Sequence, residues 1–198
     1  MRNYNGEFLQ RPELEALGVS CGGDDVFVHT SVVIVNTEGL RIGNHVRIDP
    51  FCVLTATGGI TLGSYIHISS GCILIGGGGI EVGDYATISH GVRIFSAYEG
   101  ATSGFMTNPM IPDDCRNVTT APVILKRHSV IGPGVHILAG VTIGEGSVAA
   151  GPSSLIRDDI PDWTRVISST IKSVRSPRKR NPLALAERWI ESPPPGVE

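Results

Sequence analysis

With 198 residues, a formal net charge of −3 and 6% aromatic side chains, the chain suits one domain with short appendages and has no general attraction for nucleic acid. No apolar run is long enough to read as a transmembrane segment. The opening text MRNYNGEFLQRPELEALG lacks the apolar stretch of a signal peptide, so the expected location is the cytoplasm.

Residues 1–20 precede any periodic pattern. Pro12 opens a short helix over Glu13 to Leu17 and Gly18 ends it, giving an expected cap over whatever follows. Four consecutive blocks of twenty residues then repeat one another: CGGDDVFVHTSVVIVNTEGL (21–40), RIGNHVRIDPFCVLTATGGI (41–60), TLGSYIHISSGCILIGGGGI (61–80) and EVGDYATISHGVRIFSAYEG (81–100). Gly23, Gly43, Gly63 and Gly83 share a column. So do Val28, Ile48, Ile68 and Ile88, and likewise Ile34, Leu54, Leu74 and Ile94. A repeat this short cannot bury an apolar face alone, so its copies must stack to form a core.

Inside the blocks runs a six-residue beat, as in Ile42, Ile48 and Leu54. It returns after residue 122 at Leu125, Ile131, Ile137, Ile143, Ala149 and Leu155. A helix of period 3.6 cannot hold a six-residue column on one face, whereas strands alternate at two and six is a multiple of two. The expected fold class is therefore all-β, a parallel β-helix of about six coils with three short strands per coil. The aliphatic residue opening each hexad should point inward, as should the one four later (Val46, Cys52, Ile66, Cys72, Ala86, Val92). Gly58-Gly59 and Gly76 to Gly79 supply permissive backbone at the corner where each twenty-residue coil is two residues longer. Cys52 and Cys72 read as a reduced, buried pair. Cys21 and Cys115 carry no metal-ligand spacing, and no metal is expected.

The pattern breaks twice more. A long loop over 96–121 is inserted where the next hexad should start, and loops of that length are usually functional. The β-helix with this insertion should span 21–162, leaving 163–198 as a terminal segment. There KSVRSPRKR (172–180) carries five positive charges. Asn181 and Pro182 should start a helix through Leu183, Leu185, Ala186, Trp189 and Ile190, before a frayed end.

Residues 21–175 resemble the hexapeptide-repeat acyltransferases, which are left-handed β-helices, and especially their sugar acetyltransferase branch. The stretch VIGPGVHILAGVTIGEGSVAAGPSSLIRDDIP (130–161) resembles that family's closing coils. The loop text TNPMIPDDCRNVTTAPV (107–123) resembles a subgroup serving surface-polysaccharide pathways, including acetyltransferases of nucleotide-linked 4-amino-4,6-dideoxy sugars. The resemblance implies a homotrimer with grooves between subunits, acetyl-CoA as co-substrate, and direct attack of a sugar amine or hydroxyl on the thioester. Such chemistry asks the protein mainly to position two substrates and to stabilise an oxyanion. A hydroxyl acceptor also needs a general base, and an amine needs less help.

Where O-acetyltransferases of this group carry a histidine at the start of the loop, this chain carries Glu99. A carboxylate there suits an amine acceptor, by orienting the ammonium and helping remove its proton, so Glu99 is the first catalytic candidate and N-acetylation of an amino sugar is favoured. His90 is the second, because Pro50 and Ser70 hold its place in earlier repeats and it has no packing duty. His67, outward beside Arg47 and Thr87 in its column, joins Ser96, Tyr98 and Asn108 as substrate-binding candidates. The family's Gly-x-x-Ser stretch maps to Gly151 and Ser154, which with Lys172 and Arg175 are the cofactor-binding candidates. Of the family's Gly-x-Pro-Ala-Lys pattern only Lys172 remains. His128 and His136 are open to cofactor or intersubunit contact, and His29 and His45 read as surface residues.

Other readings carry less. A zinc carbonic anhydrase on this fold needs two histidines five apart, which the six histidines do not offer. Sugar O-acetylation and a catalytically silent scaffold remain as alternatives.

Overall fold

The computed structural model describes residues 7–100, 105–110, 112–151, 153–168, 173–177, 183–184 and 187. Three parallel faces form a prism. The first face runs through Val26–His29, Val46–Ile48, Ile66–Ile68, Thr87–Ile88, Val130–Ile131, Val148–Ala150 and Thr164–Ser168. The second runs through Val33–Val35, Val53–Thr55, Ile73–Ile75, Arg93–Phe95, His136–Ile137 and Leu155–Ile156. The third runs through Ser20–Cys21, Leu40–Ile42, Ile60–Leu62, Ile80–Val82, Val123–Leu125 and Thr142–Ile143. The chain is a left-handed β-helix of about seven turns.

Register follows the columns. Arg47 pairs with His67 and His67 with Thr87, and Leu54 pairs with Leu74 and Leu74 with Ile94. Ile88 then pairs with Ile131 and Val82 with Leu125, so the coil resumes beyond the loop without a slip. Val46, Cys52, Ile66, Cys72, Ala86 and Val92 are buried as expected. At the last hexad Leu155 is exposed and Ile156, paired with Ile137, points inward in its place, because the chain gains one residue at that corner. Inside, the Cys52 thiol donates to the Ser69 carbonyl at 3.3 Å and that of Cys72 to the Ser89 carbonyl at 3.1 Å. Contact with the Cys52 sulfur and burial push the Cys72 thiol well above the ordinary range, so both behave as small core residues.

The two ends are closed differently. At the start, helix α1 (Arg11–Ala16) uses a Gln10–Glu13 capping box and lowers fully buried Leu14 onto the open core. Phe8–Leu9 runs antiparallel to Val26–His29. At the far end the prism continues beyond the expected limit at 162, because Thr164–Ser168 adds a parallel strand and buries Val166. Within the basic segment, Ser173–Pro177 forms a strand antiparallel to Thr164–Ser168. Both additions cover an edge that would otherwise expose unpaired backbone groups. Of the expected terminal helix, Leu183, Ala184 and Glu187 are helical and the other positions lie outside the described residues.

One corner column was not foreseen. His45, Tyr65, Tyr85 and His128 all adopt left-handed backbone, with φ between 54° and 60°. Their rings stack at centroid distances of 4.6, 4.9 and 4.8 Å. Each stacked pair contributes about 0.5–1.5 kcal/mol beyond area burial, which offsets the backbone strain of bulky residues at positive φ. His45 also pairs with Asp25, and His128 is buried, so neither is a free surface or cofactor-facing group.

Because each core residue is sandwiched between column mates, Leu74→Ala, flanked by Leu54 and Ile94, should lower unfolding free energy by about 3 kcal/mol. Urea denaturation followed by circular dichroism measures this.

Candidate active site

The second face ends at Phe95, where the loop departs. Strand Ala97–Glu99 pairs antiparallel with Val118–Thr120, Glu99 opposite Val118, so the loop stands on a short hairpin stalk. Strand alternation puts Ala97 and Glu99 on one side of this stalk and Tyr98 on the other. The Glu99 Oε1 atom lies 3.3 Å from Nη1 of Arg116, and both side chains are more than four-fifths buried. Arg116 also donates through Nη2 to Asp113 at 2.7 Å and through Nη1 to the Asn108 carbonyl at 3.3 Å. Its Nε–H is buried and finds no partner among the described residues. One guanidinium fork thus ties the loop to Glu99 and fixes one carboxylate oxygen. Arg116 was not singled out from the sequence. A lone arginine between Asp113, Asp114 and a polar run carries no spacing signal.

The other loop candidates serve the stalk. Ser96 is fully buried, its hydroxyl donating to the Ile75 carbonyl at 3.0 Å and accepting from the Gly78 amide at 2.9 Å. That hydroxyl is engaged within the corner and does not face outward. The Asn108 side-chain oxygen accepts from the Met110 amide at 2.9 Å.

A second cluster lies at the corner between the first and second faces. His90 is exposed and its Nδ1 sits 3.0 Å from the Ser70 hydroxyl, one coil earlier. On the first face beside that corner, His67 donates through Nε2 to Asp49 at 2.8 Å, and Arg47 donates through Nε to the other Asp49 oxygen at 2.6 Å. Burial alone would raise the Asp49 carboxyl, but these two hydrogen bonds outweigh it and hold the group below the usual carboxylate range. Asp49 therefore orients His67, whose ring is about half exposed.

The structure does not bring His90 and Glu99 together within one chain. His90 precedes strand Arg93–Phe95 and Glu99 follows it, so the width of the second face separates them. That face is largely apolar outside as well as inside: Val33 and Val35 are exposed and Val53, Ile73, Ile75 and Phe95 partly so, with Thr55, exposed Arg93 and His136 as its polar members. Two hollows lie elsewhere. One of about 250 Å³ is lined by Phe8, Asp25, Phe27, His45, Val46 and Arg47. The other, about 490 Å³, crosses the third face beside Glu81, Lys126, Arg127 and Glu145.

On the late coils, Gly151 adopts φ 116° and Ser154 is buried, its hydroxyl bonded to the Ala150 carbonyl at 3.2 Å. Gly132 packs against Ala150 of the next coil, where an added Cβ would be crowded. Lys172 lies outside the described residues. Arg175 belongs to the terminal strand, opposite Val166.

The Asp49 network has a pH signature. A carboxyl with a depressed folded pKa contributes stability above its unfolded value of about 4, and this is lost as pH falls through the folded value. Asp49→Asn should cost about 2 kcal/mol at pH 7, with the gap to the native protein closing below about pH 4. Urea midpoints measured across that range test it.

No family model matches this sequence. A dTDP-4-amino-4,6-dideoxy-D-glucose acyltransferase of Escherichia coli is 32% identical over 174 residues, spanning 87% of this chain and 90% of that protein. Among solved structures, AntD is similar. It is an N-acyltransferase from Bacillus cereus, crystallised as a serine-to-cysteine variant with dTDP-4-amino-4,6-dideoxyglucose and coenzyme A. It is 33% identical, covers 96% of this chain and all of its own, and superposes with a TM-score of 0.88. The same enzyme with dTDP and 3-hydroxybutyryl-CoA gives 34% identity, 94% and 98% coverage, and a TM-score of 0.87. With near-complete coverage and the same coil architecture, the chain belongs to the hexapeptide-repeat, left-handed β-helix acyltransferases, in the branch that contains these amino-sugar enzymes.

Proposed function

We propose that this chain transfers an acyl group, acetyl in the simplest case, from coenzyme A to the amine of a nucleotide-linked amino sugar in surface-polysaccharide biosynthesis. The carrying observation is the full-length likeness to enzymes of dTDP-4-amino-4,6-dideoxyglucose. Glu99 gives local support. AntD was also crystallised with its aspartate altered ten positions after the serine, and Ser89 and Glu99 stand ten apart here. The loop text that resembles polysaccharide-pathway enzymes supports the biosynthetic setting. The cytoplasm, where acyl-CoA is made, is the matching compartment.

The working unit is a homotrimer. Three prisms that turn their apolar second faces toward a common axis cover Val33, Val35, Ile73 and Phe95. In such a ring each molecule's corner between first and second faces abuts its neighbour's loop edge. His90 of one copy then meets Glu99 of the next, and the groove between them holds both substrates. Coenzyme A takes the late coils beside Gly151 and Ser154, and Lys172 and Arg175 are the cations proposed for its phosphates.

In that groove the neutral acceptor amine attacks the thioester carbon. The carbonyl oxygen becomes an oxyanion held by backbone N–H groups, and collapse expels the coenzyme A thiolate. The nitrogen loses its extra proton as the amide forms, and the thiolate takes up a proton. Glu99, with one oxygen fixed by Arg116, holds the other toward the acceptor nitrogen and helps carry that proton away. His90 and His67 contact the sugar.

Acyl transfer to a dTDP-linked amino sugar should exceed that to the corresponding hydroxyl sugar, and exclusive hydroxyl transfer would refute the reading. Glu99→Gln should lower kcat by about tenfold or more. Full rate in that variant removes the role of this side chain and leaves the rest standing. Mixing Glu99→Gln and His90→Ala subunits should give activity above that of either variant alone, and the absence of any gain sinks the shared groove.

A further inference from the structure

Phe51 is a bulky aromatic residue held at φ 63° with 74% of its surface exposed. Both features are unfavourable, since a Cβ-bearing aromatic resists left-handed backbone and an exposed ring is left in water. At the opposite corner the same strain is offset by stacking of His45, Tyr65, Tyr85 and His128. Phe51 stacks on no ring among the described residues. Its amide is held by the Ser31 hydroxyl at 2.9 Å, so the corner itself is well formed. What repays this side chain lies outside the chain.

Its position says what that is. Gly71, Gly91 and Gly134 occupy the same corner on successive coils, their amides bonded to the carbonyls of Pro50, Ser70 and His90. A Cβ at Gly71 or Gly91 would meet nothing within 4 Å, so the surface above Phe51 is bare backbone facing open space. The polar side chains beside it are Ser70 and His90, and exposed Arg93 begins the strand that leaves the His90 corner. The arrangement is an aromatic platform, then an unobstructed polar strip, then the candidate catalytic histidine. At about 4.8 Å per coil, Phe51 stands about 10 Å below His90. That separation suits the pentose and diphosphate that join a base to a reacting sugar. The apolar side chains Val53 and Ile73 lie on the adjoining second face, where copies would meet, whereas the strip above Phe51 at the corner itself is glycine backbone flanked by Ser70 and His90.

We propose that Phe51 is the stacking platform for the base of the nucleotide-linked acceptor, with the diphosphate crossing Gly71 and Gly91 to deliver the sugar to His90. This rests on the acceptor reading above. Base–aromatic stacking of this kind changes affinity by roughly tenfold or more.

The test titrates dTDP, inorganic pyrophosphate and coenzyme A into the full-length native protein, Phe51→Gly and Phe51→Trp by calorimetry. Oligomeric state is followed by sedimentation. Glycine accepts the left-handed corner, so Phe51→Gly should fold with undiminished thermal stability. It should lose about tenfold or more in dTDP affinity, while Phe51→Trp stays near native. Pyrophosphate and coenzyme A should bind all three proteins alike. Unchanged dTDP affinity in Phe51→Gly overturns the inference alone. Loss of coenzyme A affinity instead assigns the ring to the other substrate and also overturns it, as does dissociation of the assembly in that variant. A native protein that binds no dTDP takes down the nucleotide-sugar reading and the platform together.

Discussion

Every coil of this protein depends on the coil beneath it. A single turn of short strands has no partner for its backbone and no interior for its aliphatic side chains. Leu54, Leu74 and Ile94 are buried only because each closes on the next. The parallel ladder between coils therefore supplies hydrogen bonding and hydrophobic burial in one operation. A one-residue slip would turn the buried column outward, which holds the register rigidly on all three faces. Even the long loop obeys it. The chain leaves after Phe95 and returns so that Ile88 meets Ile131 and Val82 meets Leu125.

This rigidity has a functional consequence. A stacked prism offers flat faces and repeated corners, with little concavity of its own, so chemistry must be added where the repetition lapses. The departures are local: Glu99 and Arg116 in the loop stalk, His90 and Phe51 at a corner otherwise built from glycine, and Asp49 with Arg47 and His67 on the first face. Each cluster is held by a bond across coils or across the loop. The scaffold thus fixes side chains that would wander on a free loop.

Much of this was legible in the amino-acid text. A six-residue aliphatic beat is incompatible with a helix, and the inward columns, the reduced cysteine pair, the cap near Pro12 and the place of the loop all follow from it. The site was legible only in part. Glu99, His90 and His67 stood out because they interrupt columns. Arg116 did not, because its role arises from the fold of the loop back onto its own stalk. Ser96 read as a substrate-binding candidate, yet its hydroxyl is used inside the corner. His45 read as a surface residue and His128 as open to cofactor or intersubunit contact, since nothing in their spacing says that corner backbone is left-handed and aims four rings along one line.

By itself the sequence determined the all-β class, the coil length, the buried columns and the residues that break them. These are periodic properties, and periodicity is carried by residue type at fixed spacing. The tertiary structure alone decided the closure of the last edge by a terminal strand, the pairing of Glu99 with Arg116, the ring ladder, and the separation of His90 from Glu99 across an apolar face. Those depend on the path of corners and loops, where a few degrees of backbone rotation choose a partner and no repeat records the choice.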